Sequence, residues 1–376
     1  MISRQPWGEV DGAAVDLFTL SAGDGMTVTV STYGGVVQSI RVPSRDGDAV
    51  NVALGSARVS DYVDPRGGDT FFGAIIGRYA NRIAGHSFPL DGRRYELVGN
   101  DGPDDTVTLH GGPGGYHSEV WHPSVCARGS AVRLSHVDPD GRNGFPGTLR
   151  VEVAYAVTRD NALRISYRAT CDAPTVVNLT NHTYFNLAGE GSGDVYDQLL
   201  AINASAFQPV DLLQIPVGFG GVERTPFDFR AMKPIGREIC AVDGPRRDQL
   251  ASARGYDHNW VLAGAGYRLA AVALDPGSGI VLWVYTDQPG VQLYTANHLS
   301  SELVGTGGRR YGQGAGFALE TQGFPDAPNH IGDPSWPSVV LRPGEVWLSR
   351  TTYKFTVAGP ELAERIRFRG FPGPAV

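Results

Sequence analysis

The sequence predicts an all-β protein, a single large antiparallel β-sandwich that spans residues 1–376. Three observations support this fold class. The 50 glycines and 25 prolines among 376 residues exceed the average combined share of roughly 12%, which indicates many turns between short strands. Apolar and polar residues alternate with a period of two along much of the chain, as half-buried strands require. Convincing long amphipathic helices are absent from the pattern.

The alternation marks strands in the N-terminal half. Residues 27–42 predict two short strands that are interrupted at Gly34 and Gly35. Residues 149–157 alternate apolar with polar or small side chains, and residues 163–169 alternate again after a polar turn. Two alternating runs on either side of a short turn are typical of a β-hairpin, so we expect these two strands to pair.

The C-terminal half continues in the same way. A second hairpin is predicted over residues 267–285, with its turn at residues 276–279, and a late strand over residues 346–357. Short helices are predicted at residues 248–254 and 361–368. Because no linker, repeat or change of composition interrupts the strands, one domain is the simplest prediction.

Charge and cysteine usage exclude several classes of function. The chain has 32 Lys and Arg against 39 Asp and Glu, a net charge of −7, and no basic cluster. A nucleic-acid interface needs a concentrated positive surface, so none is expected. The three cysteines, Cys126, Cys171 and Cys240, have neither zinc-ligand spacing nor the density of a disulfide framework.

The sequence also lacks targeting and membrane signals. Its first residues contain no apolar stretch of the kind found in signal peptides. It contains no run of about 18 apolar residues, so no membrane-spanning segment is expected. We therefore predict a cytoplasmic protein, and the sequence leaves its oligomeric state open.

Two distant segments hold isolated proton-transfer groups. Residues 178–187, NLTNHTYFNL, place His182 among amides and hydroxyls. Residues 319–329, LETQGFPDAPN, place Glu320 at the end of an apolar run. Histidine and carboxylate are the commonest general acids and bases, and a buried carboxylate needs partners or a function. If the fold brings the two groups together, the chain has a general acid and a general base facing one small cavity; taken alone, each residue could equally have a structural role.

Four further segments combine directional polar side chains with glycine or aromatic residues. They are GRYANRIAG at 77–85, LHGG at 109–112, YDHNW at 256–260 and VQLYT at 291–295. Sugar hydroxyls need fixed donors and acceptors, and sugar C–H faces pack on aromatic rings. This composition favours a carbohydrate ligand.

Together and in this order, these segments resemble the aldose 1-epimerase (galactose mutarotase) family, over nearly the whole chain. The resemblance implies a galactose mutarotase-like fold, a large antiparallel β-sandwich with a concave sugar-binding face. It also implies an isomerase that interconverts the α and β anomers of free hexoses such as glucose and galactose. That reaction transfers neither an electron nor a group, so we expect no metal and no other cofactor.

The resemblance further implies catalytic roles. Glu320 matches the general base that takes the proton from the anomeric hydroxyl, and His182 matches the general acid that protonates the ring oxygen. His110 matches a second histidine that binds the sugar and assists at the ring oxygen. The implied sugar-binding residues are Asn81, Arg82, Asp257 and Gln292.

Other interpretations stay open at this stage. The chain could be an epimerase-like protein for a different sugar, or a sugar-binding module without catalysis. A phosphorylated hexose is disfavoured, because no cluster of additional arginines indicates a phosphate pocket. Arg78 and His258 are assigned supporting roles rather than sugar contacts. Residues 214–230 are expected to frame the site.

Overall fold

The structure is a computed structural model that describes residues 1–23, 25–64, 70–126, 131–239, 246–359 and 361–368. Cys240 lies outside these residues. The first strands are β1 Ile2–Val10, β2 Ala13–Ser21, β3 Thr27–Ser31, β4 Val37–Pro43 and β5 Ala49–Asn51. Next come β6 Ile75–Ile76, β7 Arg82–Ala84, β8 Ser87–Leu90, β9 Arg93–Glu96, β10 Val107–Leu109 and β11 His122–Val125. Then follow β12 Ala131–Asp138, β13 Leu149–Thr158, β14 Ala162–Cys171, β15 Thr175–Val176, β16 Thr180–Asn181 and β17 Tyr184–Phe185.

The later strands and the helices complete the list of elements. The strands are β18 Leu199–Ile202, β19 Ala204–Gln208, β20 Gly220–Gly221, β21 Lys233–Pro234, β22 Asp257–Leu262 and β23 Arg268–Leu274. The last five are β24 Ile280–Thr286, β25 Gly290–Tyr294, β26 Phe317–Gln322, β27 Val340–Leu341 and β28 Trp347–Val357. The α-helices are α1 Ser60–Val63, α2 Arg247–Ala253 and α3 Leu362–Arg365. The 3₁₀ turns are Pro103–Asp105, Tyr116–Ser118, Arg142–Gly144, Ile235–Glu238 and Ala327–His330.

Three sheets of the described chain form the framework. The first runs β1-β2-β3-β4-β5, the second runs β11-β12-β13-β14-β28-β24-β23-β18-β21, and the third runs β17-β26-β25-β22-β19-β20. All of their pairings are antiparallel. The all-β prediction is confirmed, and the short helices stand outside the sheets.

The main core lies between the nine-stranded and six-stranded sheets. Leu319 and Leu293 of the six-stranded sheet belong to the same apolar cluster as Leu282, Tyr353 and Phe355 of the nine-stranded sheet. All five are at most 2% exposed. Because alternate residues of a strand point to opposite faces, every second residue of the six-stranded sheet is left on the far face. That far face carries the site described below.

The sequence located the main strands correctly. The two strands predicted within residues 27–42 are β3 and β4, and the predicted hairpins are β13–β14 and β23–β24. The late strand is β28, and the predicted short helices are α2 and α3. Of the helices in the described ranges, none has the length and apolar character needed to cross a membrane.

Candidate active site

Glu320 lies on the face of the six-stranded sheet that turns away from the core. Its neighbour Thr321 is hydrogen-bonded through its hydroxyl to Thr351 of β28, so Thr321 faces the nine-stranded sheet. Glu320 therefore points to the opposite side. Its side chain is only 2% exposed although it lies outside the main core. The strand gives the carboxyl a fixed origin in an enclosed place.

His182 reaches the same place from β16. The preceding residues pair with β6, and the backbone N–H of His182 donates to the carbonyl of Ala74 over 2.9 Å. The N–H of Gly73 in turn donates to the carbonyl of His182 over 3.0 Å. These two backbone hydrogen bonds hold His182 in place, and its Nε2 lies 3.6 Å from Glu320 Oε1. The histidine and the carboxyl, which are far apart in the sequence, are therefore neighbours in the fold.

His110 and Asn81 are joined by the short β7–β10 ladder. Leu109 pairs with Arg82, and the N–H of His110 donates to the carbonyl of Asn81 over 3.1 Å. The N–H of Asn81 donates to Nδ1 of His110, also over 3.1 Å. Asn81 has a φ of 66°, which asparagine tolerates better than most residues, and its own Oδ1 accepts from the N–H of Arg82. The His110 ring lies 5.4 Å from that of His182, edge to face.

Arg82 and Asp257 form the charged side of the site. Arg82 Nε donates to Asp101 Oδ2 over 2.7 Å, and Arg82 Nη1 lies 3.7 Å from Asp257 Oδ2. Gln292 Nε2 donates to the other oxygen of Asp257 over 2.7 Å. Asp257 is thus held from two sides, by an amide and by a guanidinium. Gln292 is 3% exposed and is not among the residues that line the cavity.

Arg78 has the supporting position expected of it. Its guanidinium is 1% exposed, and its Nε donates to Asp138 Oδ2 over 2.7 Å. Its Nη1 donates to the carbonyls of Pro146 and Gly147 and to the Thr175 hydroxyl. A buried charge needs this degree of pairing. Arg78 therefore fixes the chain three residues before Asn81.

These side chains line a cavity of about 360 Å³, within the range of small-molecule sites. The cavity collects six of the seven residues singled out by the sequence, namely Asn81, Arg82, His110, His182, Asp257 and Glu320. Six further lining residues were not predicted: Phe71, Asp101, Leu109, Tyr184, Tyr294 and His298. Leu109, Tyr184 and Tyr294 belong to the segments already quoted, whereas Phe71, Asp101 and His298 belong to none.

The expectation for residues 214–230 is not met. None of them is among the residues that line this cavity. Phe219 packs instead against Phe324 and Trp336, with ring centroids 5.9 Å and 5.5 Å away. The physical reason is apolar packing, since Val222, Phe227 and Phe229 of this segment are buried in the main core and Phe219 packs on the cluster of Phe324 and Trp336.

Burial dominates the electrostatics of the acid–base pair. It raises the pKa of Glu320 well above its ordinary value; the charge of Asp257 adds to that rise, and Arg82 opposes it. Burial lowers the pKa of His182 to about 3. Burial also lowers the pKa of His110 well below its ordinary value, helped by His182, Arg82 and His117. The pair therefore favours its uncharged form, with the proton on Glu320 and His182 neutral.

His110, His182 and Glu320 also have the composition of a metal site. Each offers a ligand atom, and these atoms lie within 4.8 Å of one another. A metal-bound histidine usually donates its other ring N–H to an acceptor. The His110 Nδ1 instead accepts from the N–H of Asn81, so in the neutral ring the proton sits on Nε2. This arrangement suits a hydrogen bond to a ligand oxygen better than ligation of a metal.

Comparison with known proteins identifies the family. The family model described as aldose 1-epimerase matches residues 16–354. The chain belongs to the aldose 1-epimerase family. It is 41% identical over 361 residues to the galactose mutarotase of Bos taurus, a match that covers 95% of this chain and 99% of that protein. It is 39% identical over 360 residues to the aldose 1-epimerase of Escherichia coli K12, covering 94% and 99%.

Solved structures of the aldose 1-epimerase family have the same fold. The aldose epimerase homologue from C. elegans has a TM-score of 0.82 at 28% identity, covering 92% of this chain and 100% of that one. The galactose 1-epimerase from Lactobacillus acidophilus has a TM-score of 0.81 at 30% identity, covering 95% and 99%. The protein is an enzyme of this family of carbohydrate isomerases, with the galactose mutarotase-like β-sandwich that the sequence resemblance implied.

Proposed function

We propose that the protein interconverts the α and β anomers of free aldohexoses, with Glu320 and His182 as the proton-transfer pair. The observation that carries the proposal is the 3.6 Å separation of His182 Nε2 and Glu320 Oε1 in the wall of one cavity. A carboxyl and an imidazole at this spacing can serve two oxygens of one pyranose. Relatives of this chain named galactose mutarotase and aldose 1-epimerase support the same reaction.

The reaction requires two proton transfers at adjacent oxygens. Glu320 takes the proton from O1 while the C1–O5 bond breaks, and His182 delivers a proton to O5. C1 becomes an aldehyde, turns about the C1–C2 bond, and the ring closes with both protons returned. Well-placed acid and base groups each contribute roughly 10²–10⁴-fold to such a step. The proton count balances over the cycle, so no co-reactant is needed.

The proposed cycle needs one exchangeable proton on the pair. Burial raises the pKa of Glu320 and lowers the pKa of His182, so it favours that proton on Glu320 over His182. A protonated Glu320 and a neutral His182 are the state that follows ring opening, when Glu320 has taken a proton and His182 has given one. Ring opening starts with the proton on His182 and Glu320 ionised, so one proton must first move from Glu320 to His182.

The remaining side chains hold the body of the sugar in our proposal. Asn81, Arg82 and Asp257 line the cavity, and His110 presents Nε2–H to a ring or anomeric oxygen. Gln292 supports Asp257 through their 2.7 Å hydrogen bond, rather than standing in the cavity wall. A firm grip on these hydroxyls leaves C1 free to turn after opening.

We propose glucose and galactose as substrates. Arg82 is the one arginine among the described lining residues, and its Nε is already paired with Asp101. A phosphate group needs charge-assisted donors that are free to bind it, so a neutral sugar is favoured over a phosphorylated one. The cytoplasmic location and the single domain over residues 1–376 remain predictions.

Polarimetry tests the proposed activity. Freshly dissolved α-D-glucose or α-D-galactose is mixed with the protein, and the rate of rotation change is compared with that of the sugar alone. We expect acceleration in proportion to enzyme concentration with both sugars. Binding of either sugar without acceleration would favour the sugar-binding module, and acceleration confined to another aldose would favour the epimerase-like alternative.

A further inference from the structure

A row of buried polar side chains crosses the six-stranded sheet beside Glu320. The members stand directly opposite one another on β19, β22, β25 and β26, and they are Gln208, Asn259, Gln292 and Glu320. Directly opposed residues share one face of a sheet, so all four side chains leave the same side. Gln322 joins them, because it lies two residues beyond Glu320 on β26. None of the five is more than 3% exposed.

Only part of this row is satisfied by the protein. Asn259 Nδ2 donates to Gln208 Oε1 over 2.8 Å, and Gln292 Nε2 donates to Asp257. The atoms with no hydrogen-bond partner among the described residues are Gln208 Nε2, Asn259 Oδ1, Gln292 Oε1, Glu320 Oε2 and both polar atoms of Gln322. Buried polar groups in native proteins nearly always have partners, so six such atoms on one face indicate a ligand.

The orientation of Gln292 is fixed by its partner. The carboxylate of Asp257 only accepts, so the NH₂ group of Gln292 must face it and the carbonyl oxygen of Gln292 must point elsewhere. Asn259 bonds Gln208 through one atom of its amide, and the other atom of that amide has no partner among the described residues. A buried carbonyl oxygen such as that of Gln292 needs a donor, and water can supply one.

Gly290 keeps space open for the row. It pairs with Gln322 across the β25–β26 ladder. A Cβ at position 290 would lie 2.5 Å from Asn259 Oδ1 and 2.9 Å from Asn259 Nδ2. The amide of Asn259 therefore occupies the volume above Gly290, next to the strand position of Gln322. Gln322 therefore stands beside the row on the same face of the sheet.

We propose that Asn259, Gln292 and Gln322 enclose ordered water that orients the Glu320 carboxyl, which makes Asn259 and Gln322 positioning residues. Water supplies both donors and acceptors, and buried waters typically make about three hydrogen bonds to groups of this kind. The terminal torsion of a glutamate is broad, and Oε2 has no protein partner among the described residues to restrict it. Water at Oε2 aims Oε1 at His182. The catalytic part of this inference rests on the proposed function.

Gln322→Met provides a sharp test, because both polar atoms of Gln322 lack partners in the described protein. If the site were dry, replacing it with an unbranched apolar side chain of similar length would be neutral or stabilising. With water present, the exchange frees the Glu320 carboxyl to rotate. We expect kcat to fall by about tenfold or more, with sugar bound at unit stoichiometry and KM little changed.

Thr321→Val is the matched control. Thr321 adjoins Glu320 on the same strand but faces the other sheet, where it bonds Thr351. The Thr321→Val variant should have a lower melting temperature, but it should not show the fall in kcat at unchanged KM that is expected for Gln322→Met. Gln322→Leu repeats the test if the methionine variant fails to fold.

A crystal structure of the wild-type protein supplies a measurement that does not depend on activity. We expect electron density for water within hydrogen-bond distance of Asn259 Oδ1, Gln292 Oε1 or Gln322. Direct contacts among these side chains with no water density would overturn the inference, as would an unchanged kcat in Gln322→Met. If the wild-type enzyme accelerates no sugar, the proposed function fails, and the density still decides whether the water site exists.

Discussion

The backbone N–H of Asn81 donates to Nδ1 of His110 over 3.1 Å, and this bond determines which ring nitrogen of His110 carries the proton. Burial lowers the pKa of His110, so the ring is neutral and its proton must sit on Nε2. His110 can thereby offer Nε2–H to a ligand in the cavity that it lines.

His110→Gln should therefore be milder than His110→Ala. The amide nitrogen of glutamine reaches about as far as Nε2, whereas alanine removes the donor. Loss of a preorganised donor typically costs about 10²-fold or more, so we expect that drop in kcat/KM for the alanine variant and about tenfold less for glutamine. Steady-state polarimetry measures both. Nitrogen NMR of the wild type should show a neutral ring protonated at Nε2, and an Nδ1–H ring would contradict the assignment.

Activity should survive the removal of metal ions. His110, His182 and Glu320 have suitable ligand atoms within 4.8 Å, yet the bond from Asn81 to Nδ1 of His110 leaves the ring proton on Nε2, where it opposes metal ligation. We expect dialysis against a chelator to leave kcat within error of the untreated enzyme. Loss of activity that zinc or another ion restores would show that the three residues form a metal centre.

Stability should decline as the solution becomes acidic. Burial lowers the pKa of His182 and His258 to about 3 and that of His117 to about 4. Below pH of about 6.5 the unfolded chain binds protons at these rings while the folded chain does not. The unfolding free energy therefore decreases as the pH is lowered, until the folded rings also protonate. At pH 5 each ring lowers the unfolding free energy by about 2 kcal/mol relative to neutral pH.

Urea denaturation at pH 7.5 and pH 5.0 measures this decline. His258→Gln should reduce the difference in unfolding free energy between pH 7.5 and pH 5.0 by the contribution of one histidine. The substitution also changes the stability at pH 7.5. His122→Gln is the control, since His122 is exposed and should leave the difference unchanged. Equal unfolding free energies of the wild type at both pH values would contradict the buried, neutral state of these rings.

Arg78→Met should destabilise the fold strongly. It leaves Asp138 buried at 2% exposure without its guanidinium partner, and breaking a buried pair typically costs about 3–5 kcal/mol. Arg342→Met is the comparison, because Arg342 and Asp91 form an exposed pair that is bidentate in geometry. Chemical denaturation should show a large decrease in unfolding free energy for Arg78→Met and a small one for Arg342→Met. Similar shifts would contradict the structural role of Arg78.

The sequence predicted the strands well because alternation is a local signal. The β13–β14 and β23–β24 hairpins each pair residues that are close along the chain, so the pattern and the turn between the strands suffice. The family resemblance added the candidate site residues, since these stand in compact segments. Six of the seven do meet at one cavity.

What the sequence missed depends on contacts between distant residues. Asp101 is a single residue in a polar turn, and its importance comes from the 2.7 Å bond to Arg82. The row from Gln208 to Glu320 depends on the register of four strands, which no local pattern specifies. Residues 214–230 were expected to frame the site, but none of them lines the cavity, and Phe219 packs against Trp336.

Glu320→Gln tests the central claim most directly. Glutamine keeps the size of the side chain but cannot take the proton from O1. Calorimetric titration with galactose should give unit stoichiometry and a Kd within a few-fold of the wild type, which establishes that the site is intact. Polarimetry on the same preparation should show kcat reduced by about 10²–10⁴-fold. A variant that binds galactose and still accelerates mutarotation near the wild-type rate would contradict the assignment of Glu320 as the base.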